Sequence, residues 1–264
     1  MSVSTTFLFH RKAVCKWRPE SPFFLFLWLA TRIAFLAVLA LCGGVAGFAQ
    51  AQSDGVQELV RRFEARYRGA RSLQVHFLER YSEQGRTVRL DAGVAYFQRP
   101  GKMRWEYESP EAKVFVSDGR TIWFYVPADR TAMRSTVKKD ADERTPFALL
   151  TGNPRLARLC ASVVLGQSVE PLTPGNQVLL CRPRGAKAAP QGGGEILLEI
   201  DPETGNLDRV RVDQGGGAAL EFQFTKWERN RDDKEGRFHF EPPLGVAIVN
   251  APVATNDAPP RQPR

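Results

Sequence analysis

Val94 to Val126 reads VAYFQRPGKMRWEYESPEAKVFVSDGRTIWFYV. At strand period, Met103, Trp105 and Tyr107 fall on one face of a strand, and Val94 and Tyr96 share a face of the preceding one. Arg99-Pro100-Gly101 turns the chain between them. Ser117-Asp118-Gly119-Arg120 makes a second turn and leads into Thr121-Ile122-Trp123-Phe124-Tyr125, where apolar and aromatic residues occupy both faces. A half-exposed sheet does not need that much apolar surface, so a helix, a second protein layer or a ligand must cover it.

On either side the same alternation continues. Upstream, Leu73, Val75, Phe77 and Tyr81 alternate, and so do Val88, Leu90, Val94 and Tyr96, with Glu83-Gln84-Gly85-Arg86 as the turn. Downstream come Met103–Glu108, Lys113–Ser117, Thr121–Val126 and Thr131–Thr136, then Leu159–Leu165, Val178–Arg182, Ile196–Ile200, Leu207–Val212 and Ala218–Trp227. Closely spaced turns and short connections predict an antiparallel meander. Phe238-His239-Phe240 is a candidate last strand.

Helix signals occur twice. Asp54 with Gln57 forms a capping box, and Val56, Leu59, Val60, Phe63 and Tyr67 follow at helical spacing, ending near Gly69. The polar run Lys138–Glu143 interrupts the meander. Thr145-Pro146-Phe147 then opens a short helix through Leu150, with Thr145 as cap and Pro146 at its first position. The fold class is therefore mainly β with short helices.

The first 51 residues read as a secretory signal. Arg11, Lys12, Lys16 and Arg18 precede apolar segments, and Ala49-Gln50-Ala51 fits an A-x-A cleavage site. An uncleaved anchor is the alternative, although the apolar run after Arg32 is short for a membrane span. Cys42 follows Leu41 rather than a small residue, which argues against lipidation there. The leader holds five basic residues and one acid, so +4 of the net charge of +8 remains beyond Ala51. Basic and acidic residues alternate there without a basic run, which argues against nucleic acid. Residues 52–250 suffice for one β-rich domain, and the Pro/Ala/Asn/Asp-rich segment 251–264 is expected to be a disordered tail.

Chemistry is sparse. Beyond the leader only His76 and His239 occur, without metal-ligand spacing to other residues. There is no G-x-S-x-G elbow, no H-E-x-x-H and no P-loop. Ser117-Asp118-Gly119 is explained by a turn. We therefore read no catalytic site, no metal site and no cofactor. Cys160 and Cys181 are a candidate disulfide in an oxidising compartment, with a pair of buried free thiols as the alternative.

An apolar ligand site remains. Phe77, Val94, Tyr96, Met103, Trp105, Trp123 and Tyr125 are candidates for its wall. Phe63, Phe147 and Leu150 are candidates for its cover. The same side chains could equally be a packed core.

Several blocks resemble the LolA family of periplasmic lipoprotein carriers. They are Arg99-Pro100 with Trp105, then Ser117 to Pro127, then Thr145-Pro146-Phe147-Ala148-Leu149-Leu150, and finally Phe238-His239-Phe240-Glu241-Pro242-Pro243-Leu244-Gly245-Val246. The resemblance implies an unclosed antiparallel β-barrel, a half-barrel, under a helical lid, with an interior that takes acyl chains. It implies that Arg99 latches the lid by hydrogen-bonding its backbone. It further implies acylated lipoproteins as cargo, an ATP-driven inner-membrane lipoprotein-releasing complex as donor, an outer-membrane acceptor, a periplasmic location and a monomer. A lipid-binding receptor or sensor module of the same fold, with free lipid or glycolipid as ligand, is the alternative. Met103 stands where the family commonly has an aromatic. The two cysteines and the glycines 192–194 are not general family features, and residues 156–194 match poorly.

Overall fold

The computed structural model describes residues 54–137, 148–151, 154–184, 194–230 and 236–250. The expected leader and tail, together with Thr145, Pro146 and Phe147, lie outside the described residues. Twelve strands form a single sheet. They are β1 (Ser72–Glu83), β2 (Arg86–Gln98), β3 (Lys102–Ser109), β4 (Lys113–Ser117), β5 (Thr121–Val126), β6 (Thr131–Thr136), β7 (Cys160–Leu165), β8 (Gln177–Pro183), β9 (Ile196–Ile200), β10 (Leu207–Gly215), β11 (Ala218–Arg229) and β12 (Ala247–Asn250). The spatial order is β12-β6-β5-β4-β3-β2-β1-β11-β10-β9-β8-β7. All pairs are antiparallel except β12 with β6. The order has two ends, so the sheet is unclosed.

Among the described residues three helices accompany it: α1 (residues 54–68), α2 (Ala148–Thr151) and α3 (Leu156–Leu159). The expected strand from Leu159 therefore begins with a helical turn. Leu156 and Leu159, three apart, both point into the core, a spacing a helix satisfies and a strand does not.

One core lies on one face of the sheet, beneath the helices. Leu59, Phe63 and Tyr67 of α1 are buried there, at the helical spacing expected. They meet Leu73, Val75 and Phe77 of β1, Phe97 of β2, Met103, Trp105 and Tyr107 of β3, and Phe222 and Phe224 of β11. Residues from β5 and from β8 and β9 belong to the same cluster. Strands far apart in the order thus share one core, which requires the sheet to curl around it.

Gly93 marks where the curl is tight. Its register partner in β1 is Phe77 and in β3 is Tyr107, beside an irregularity at Ala92/Gly93. A Cβ at Gly93 would lie 1.9 Å from the Glu106 backbone oxygen. Glycine in a strand interior commonly marks such a close backbone approach. Gly93→Ala is expected to cost about 3 kcal/mol, the upper part of the range for overpacking. Urea unfolding followed by circular dichroism measures it, and a loss below about 1 kcal/mol would mean β3 can shift without penalty.

The other face carries its own cover. Phe240 lies 5.5 Å from both Trp123 and Tyr125 by ring centroids. The Arg237 guanidinium sits 3.9 Å over the Tyr96 ring, and Arg104 donates to the Arg237 carbonyl at 3.2 Å. Phe238-His239-Phe240 is thus not the last strand: it is turn and irregular backbone laid over the sheet. Pro242-Pro243 withholds two ladder donors, and pairing starts only at Ala247, opposite Thr131 of β6. Elsewhere on the outer face, Glu199 accepts the backbone N–H groups of Leu172 and Thr173 at 3.0 and 2.8 Å, fixing the β7–β8 loop.

Candidate functional site

The covered face is an unbroken series of aromatic rings. Phe77 lies 4.8 Å from Trp105 and 5.0 Å from Tyr107, both edge-on. Trp105 also meets Phe97 at 5.5 Å and Phe222 at 5.3 Å. Phe222 stacks on Phe224 at 6.2 Å, Phe224 meets Trp227 at 5.4 Å, and Trp227 meets Tyr67 of α1 at 5.4 Å. Offset and edge-on ring pairs each add modest energy beyond the area they bury. The rings therefore connect the centre of the sheet to its helical cover.

Nine of the ten expected site residues are described, and they divide between the two faces. Phe63, Phe77, Met103, Trp105 and Leu150 are together in the covered core. Val94, Tyr96, Trp123 and Tyr125 are on the opposite face. Their strand neighbours Ala95, Phe97, Ile122, Phe124 and Val126 take the inward positions. For Tyr96, Trp123 and Tyr125 the C-terminal segment around Arg237 and Phe240 supplies cover. The physical reason is that β5 is apolar on both faces, so alternation groups its residues correctly but does not choose which group points inward. Phe147 lies outside the described residues.

Each described helix is fastened to the rest of the fold. α1 is held along its C-terminal half. The Tyr67 hydroxyl accepts the Leu207 N–H at 2.9 Å, and Trp227 Nε1 donates to the Leu207 carbonyl at 2.9 Å. Burial pushes the Tyr67 phenol upward, so it stays neutral. Arg66 Nε donates to Asn206 at 2.8 Å, and Arg62 donates to the Pro202 carbonyl at 2.9 Å. Gly205, at φ +73°, lets that turn sit against the Arg62 backbone. α3 is tied at both ends. Its Leu156 N–H donates to Glu64 at 3.0 Å, and Arg184 Nε donates to the Ala157 carbonyl at 2.7 Å. Cys160, directly after α3, is bonded to Cys181 of β8, with Cα atoms 5.5 Å apart. For α2, the Gly101 N–H donates to the Thr151 carbonyl at 3.1 Å, and Leu150 is 1% exposed.

Arg99 is beside this fastening. Its Nη1 donates to the Arg68 carbonyl at 2.9 Å, at the C-terminal end of α1 where the helix dipole favours a cation. Among the described residues, the bond to α2 comes from Gly101, two positions on. Arg99 Nε and Nη2 are buried without hydrogen-bond partners, and burial lowers its pKa. The structure thus puts the Arg99 bond on α1 and the Gly101 bond on α2.

No nucleophile is prepared at Ser117-Asp118-Gly119. Ser117 Oγ accepts the Gly119 N–H at 3.2 Å, and Asp118 Oδ1 accepts those of Arg120 and Thr121 at 2.7 Å. These are turn bonds to the local backbone. Sequence reasoning did miss four charged residues on the covered face: Glu79, Arg89, Asp91 and Lys113. Their strand phase could have revealed them, since Glu79 is two residues beyond Phe77 and four beyond Val75.

Comparison with known proteins points to one family. Residues 68–241 match the family described as "Outer membrane lipoprotein carrier protein LolA". An outer-membrane lipoprotein carrier protein of Nitrosospira multiformis is 30% identical over 69% of this chain and 83% of its own length. One from Alkalilimnicola ehrlichii is 28% identical over 83% of this chain and 96% of its own length. Among solved structures, an uncharacterized conserved protein from Thermus thermophilus is 15% identical, covering 74% of this chain and 98% of its own, with a TM-score of 0.45. With its unclosed sheet, helical cover and match over residues 68–241, the chain belongs to the LolA family of outer membrane lipoprotein carrier proteins.

Proposed function

We propose that this protein is a periplasmic carrier that receives lipoproteins from an ATP-driven inner-membrane complex and hands them to an outer-membrane acceptor. It binds their acyl chains between the aromatic face and the helices, by binding alone and without catalysis. The observation that carries this reading is the ring series from Trp105 to Tyr67 beneath a helical cover. Each buried methylene is worth about 0.8 kcal/mol, so several long chains cannot remain in water and must be shielded. A net hydrogen bond is worth about 1 kcal/mol. Single bonds of this size, such as that of the Gly101 N–H to the Thr151 carbonyl of α2, break at little cost when a donor presents a chain.

The direct test is mass spectrometry of the protein purified from its native envelope under non-denaturing conditions. Triacylated lipoproteins at about one per carrier are expected, by the shielding argument above. Recovery of only phospholipid or glycolipid would favour a lipid-binding module instead. Arg99→Leu supplies a second test. Stability should fall by only about 1 kcal/mol, the value of the bond to Arg68, while lipoprotein loading or release changes in a reconstituted transfer assay. Transfer equal to wild type would remove Arg99 from the mechanism.

A further inference from the structure

On β1 to β4 the covered face changes character at one level, while on β11 Phe222 and Leu220, opposite Glu79 and Tyr81, stay apolar. On β1, Leu73, Val75 and Phe77 are followed in phase by Glu79. On β2, Phe97, Ala95 and Gly93 are followed by Asp91 and Arg89. On β3, Met103 and Trp105 are followed by Tyr107, and on β4, Ser117 and Phe115 are followed by Lys113. The strand register aligns these changes. Phe77, Gly93, Tyr107 and Lys113 lie in one row across four strands, and Glu79 and Asp91 are opposite each other in the next row.

The charged residues pair with one another. Lys113 Nζ is 2.6 Å from Asp91 Oδ1. Arg89 reaches Glu79 Oε1 at 3.0 Å and Asp91 Oδ2 at 2.7 Å. The Tyr107 hydroxyl donates to Glu79 Oε2 at 2.7 Å. Glu79 and Asp91 are each 1% exposed, and the Arg89 side chain is 32% exposed, so the group reaches solvent on Arg89's side. Two cations and two carboxylates cancel. A buried ion-pair group of this kind adds little net stability over well-packed apolar residues, so stability does not explain its place at the end of an aromatic face.

We propose that Glu79, Arg89, Asp91 and Lys113 form the floor of the acyl site and limit the length of chain it accepts. This deepens the carrier reading above and rests on it. A methyl end advancing along Leu73, Val75 and Phe77 meets these paired charges on β1, β2 and β4, with Phe222 of β11 opposite Glu79. Going on would separate Glu79 and Asp91, each 1% exposed, from their cations, which is unfavourable. From Leu73 to Glu79 is six strand residues, about 20 Å at the usual strand rise. That is the scale of a long saturated acyl chain.

The test is displacement of a fluorescent fatty acid from the purified protein by saturated fatty acids in two-carbon steps. Affinity should rise about fourfold per added methylene, the equivalent of about 0.8 kcal/mol, and then level off. In the quadruple variant Glu79→Leu, Arg89→Met, Asp91→Leu, Lys113→Met, the plateau should move to longer chains while affinity for short chains stays the same. An unmoved plateau overturns the floor but leaves the carrier reading standing. Absence of any length-dependent binding by the unaltered protein overturns both. A second measurement needs no variant: a plateau-length fatty acid with a diazirine at its methyl end is photolysed on the wild-type protein. Labelling of the segment containing residues 77–93 or 107–113 is expected, and labelling confined to α1 and the β2–β3 turn overturns the proposal.

Discussion

Trp105→Ala is expected to lower stability by about 3–5 kcal/mol, the range for removing a large buried aromatic ring. Trp105 is 1% exposed and touches Phe77, Phe97, Phe222 and Phe224, with centroids 4.8 to 6.5 Å away. Alanine leaves four rings each facing a void. The curled sheet cannot close over it, because the β2 and β3 backbones are already in contact at Gly93. Trp105→Phe should lose much less, since it keeps ring contact with most of these neighbours. Urea unfolding followed by far-ultraviolet circular dichroism measures both. A loss below about 1 kcal/mol for the alanine variant would mean that the helices sink into the vacated space. The cover would then be soft enough to adapt to ligands of many shapes.

Removing the disulfide should have the next largest effect. Cys160 and Cys181 are 21 residues apart in sequence, and closing a loop of that order restricts the unfolded chain by about 3 kcal/mol. The bond joins the strand after α3 to β8, and both cysteines are buried in the core. A Cys160→Ala, Cys181→Ala double variant should unfold roughly 10 °C lower, given about 2–4 °C per kcal/mol for a protein of this size. The double change avoids leaving a lone reactive thiol. Hydrogen exchange should quicken first in β7, which is at the edge of the sheet and has one partner strand. A melting temperature unchanged by the double substitution or by reductant would show that β7 is held by its ladder with β8 alone.

Much of this architecture is legible in the amino-acid order, for reasons that differ by element. β4, β5, β6 and β9 have the very boundaries that alternation and turn residues predict. They are short, and Asp-Gly or Pro punctuation fixes their ends. α1 is legible because Leu59, Phe63 and Tyr67 repeat at helical spacing and Gly69 stops it. The division of the aromatic residues was not legible. Trp123 and Tyr125 alternate with Ile122 and Phe124, all four carry large apolar surface, and the distant Arg237–Phe240 segment meets the two that face outward. α3 was hidden by its size, since a four-residue helix is set by Glu64 and Arg184, far away in the chain. The charged row at Glu79 was visible in phase but ran against the expectation that inward positions are apolar.

The pairing of β1 with β11 has a consequence for how the chain reaches this structure. β1 to β6 are neighbours in sequence and in space, so each hairpin forms by closing a short loop. The seam between β1 and β11 joins Leu73 to Arg229, and its register cannot be established before the last third of the polypeptide is present. Non-local pairing of this kind is slow, because loop-closure entropy is lost before contacts compensate for it. Until then β1 has a twelve-residue edge with unsatisfied donors and acceptors, able to recruit a strand from another nascent copy. A chain truncated before Ala218 would keep that edge permanently and should be recovered as aggregate, whereas one ending after Asn250 should not.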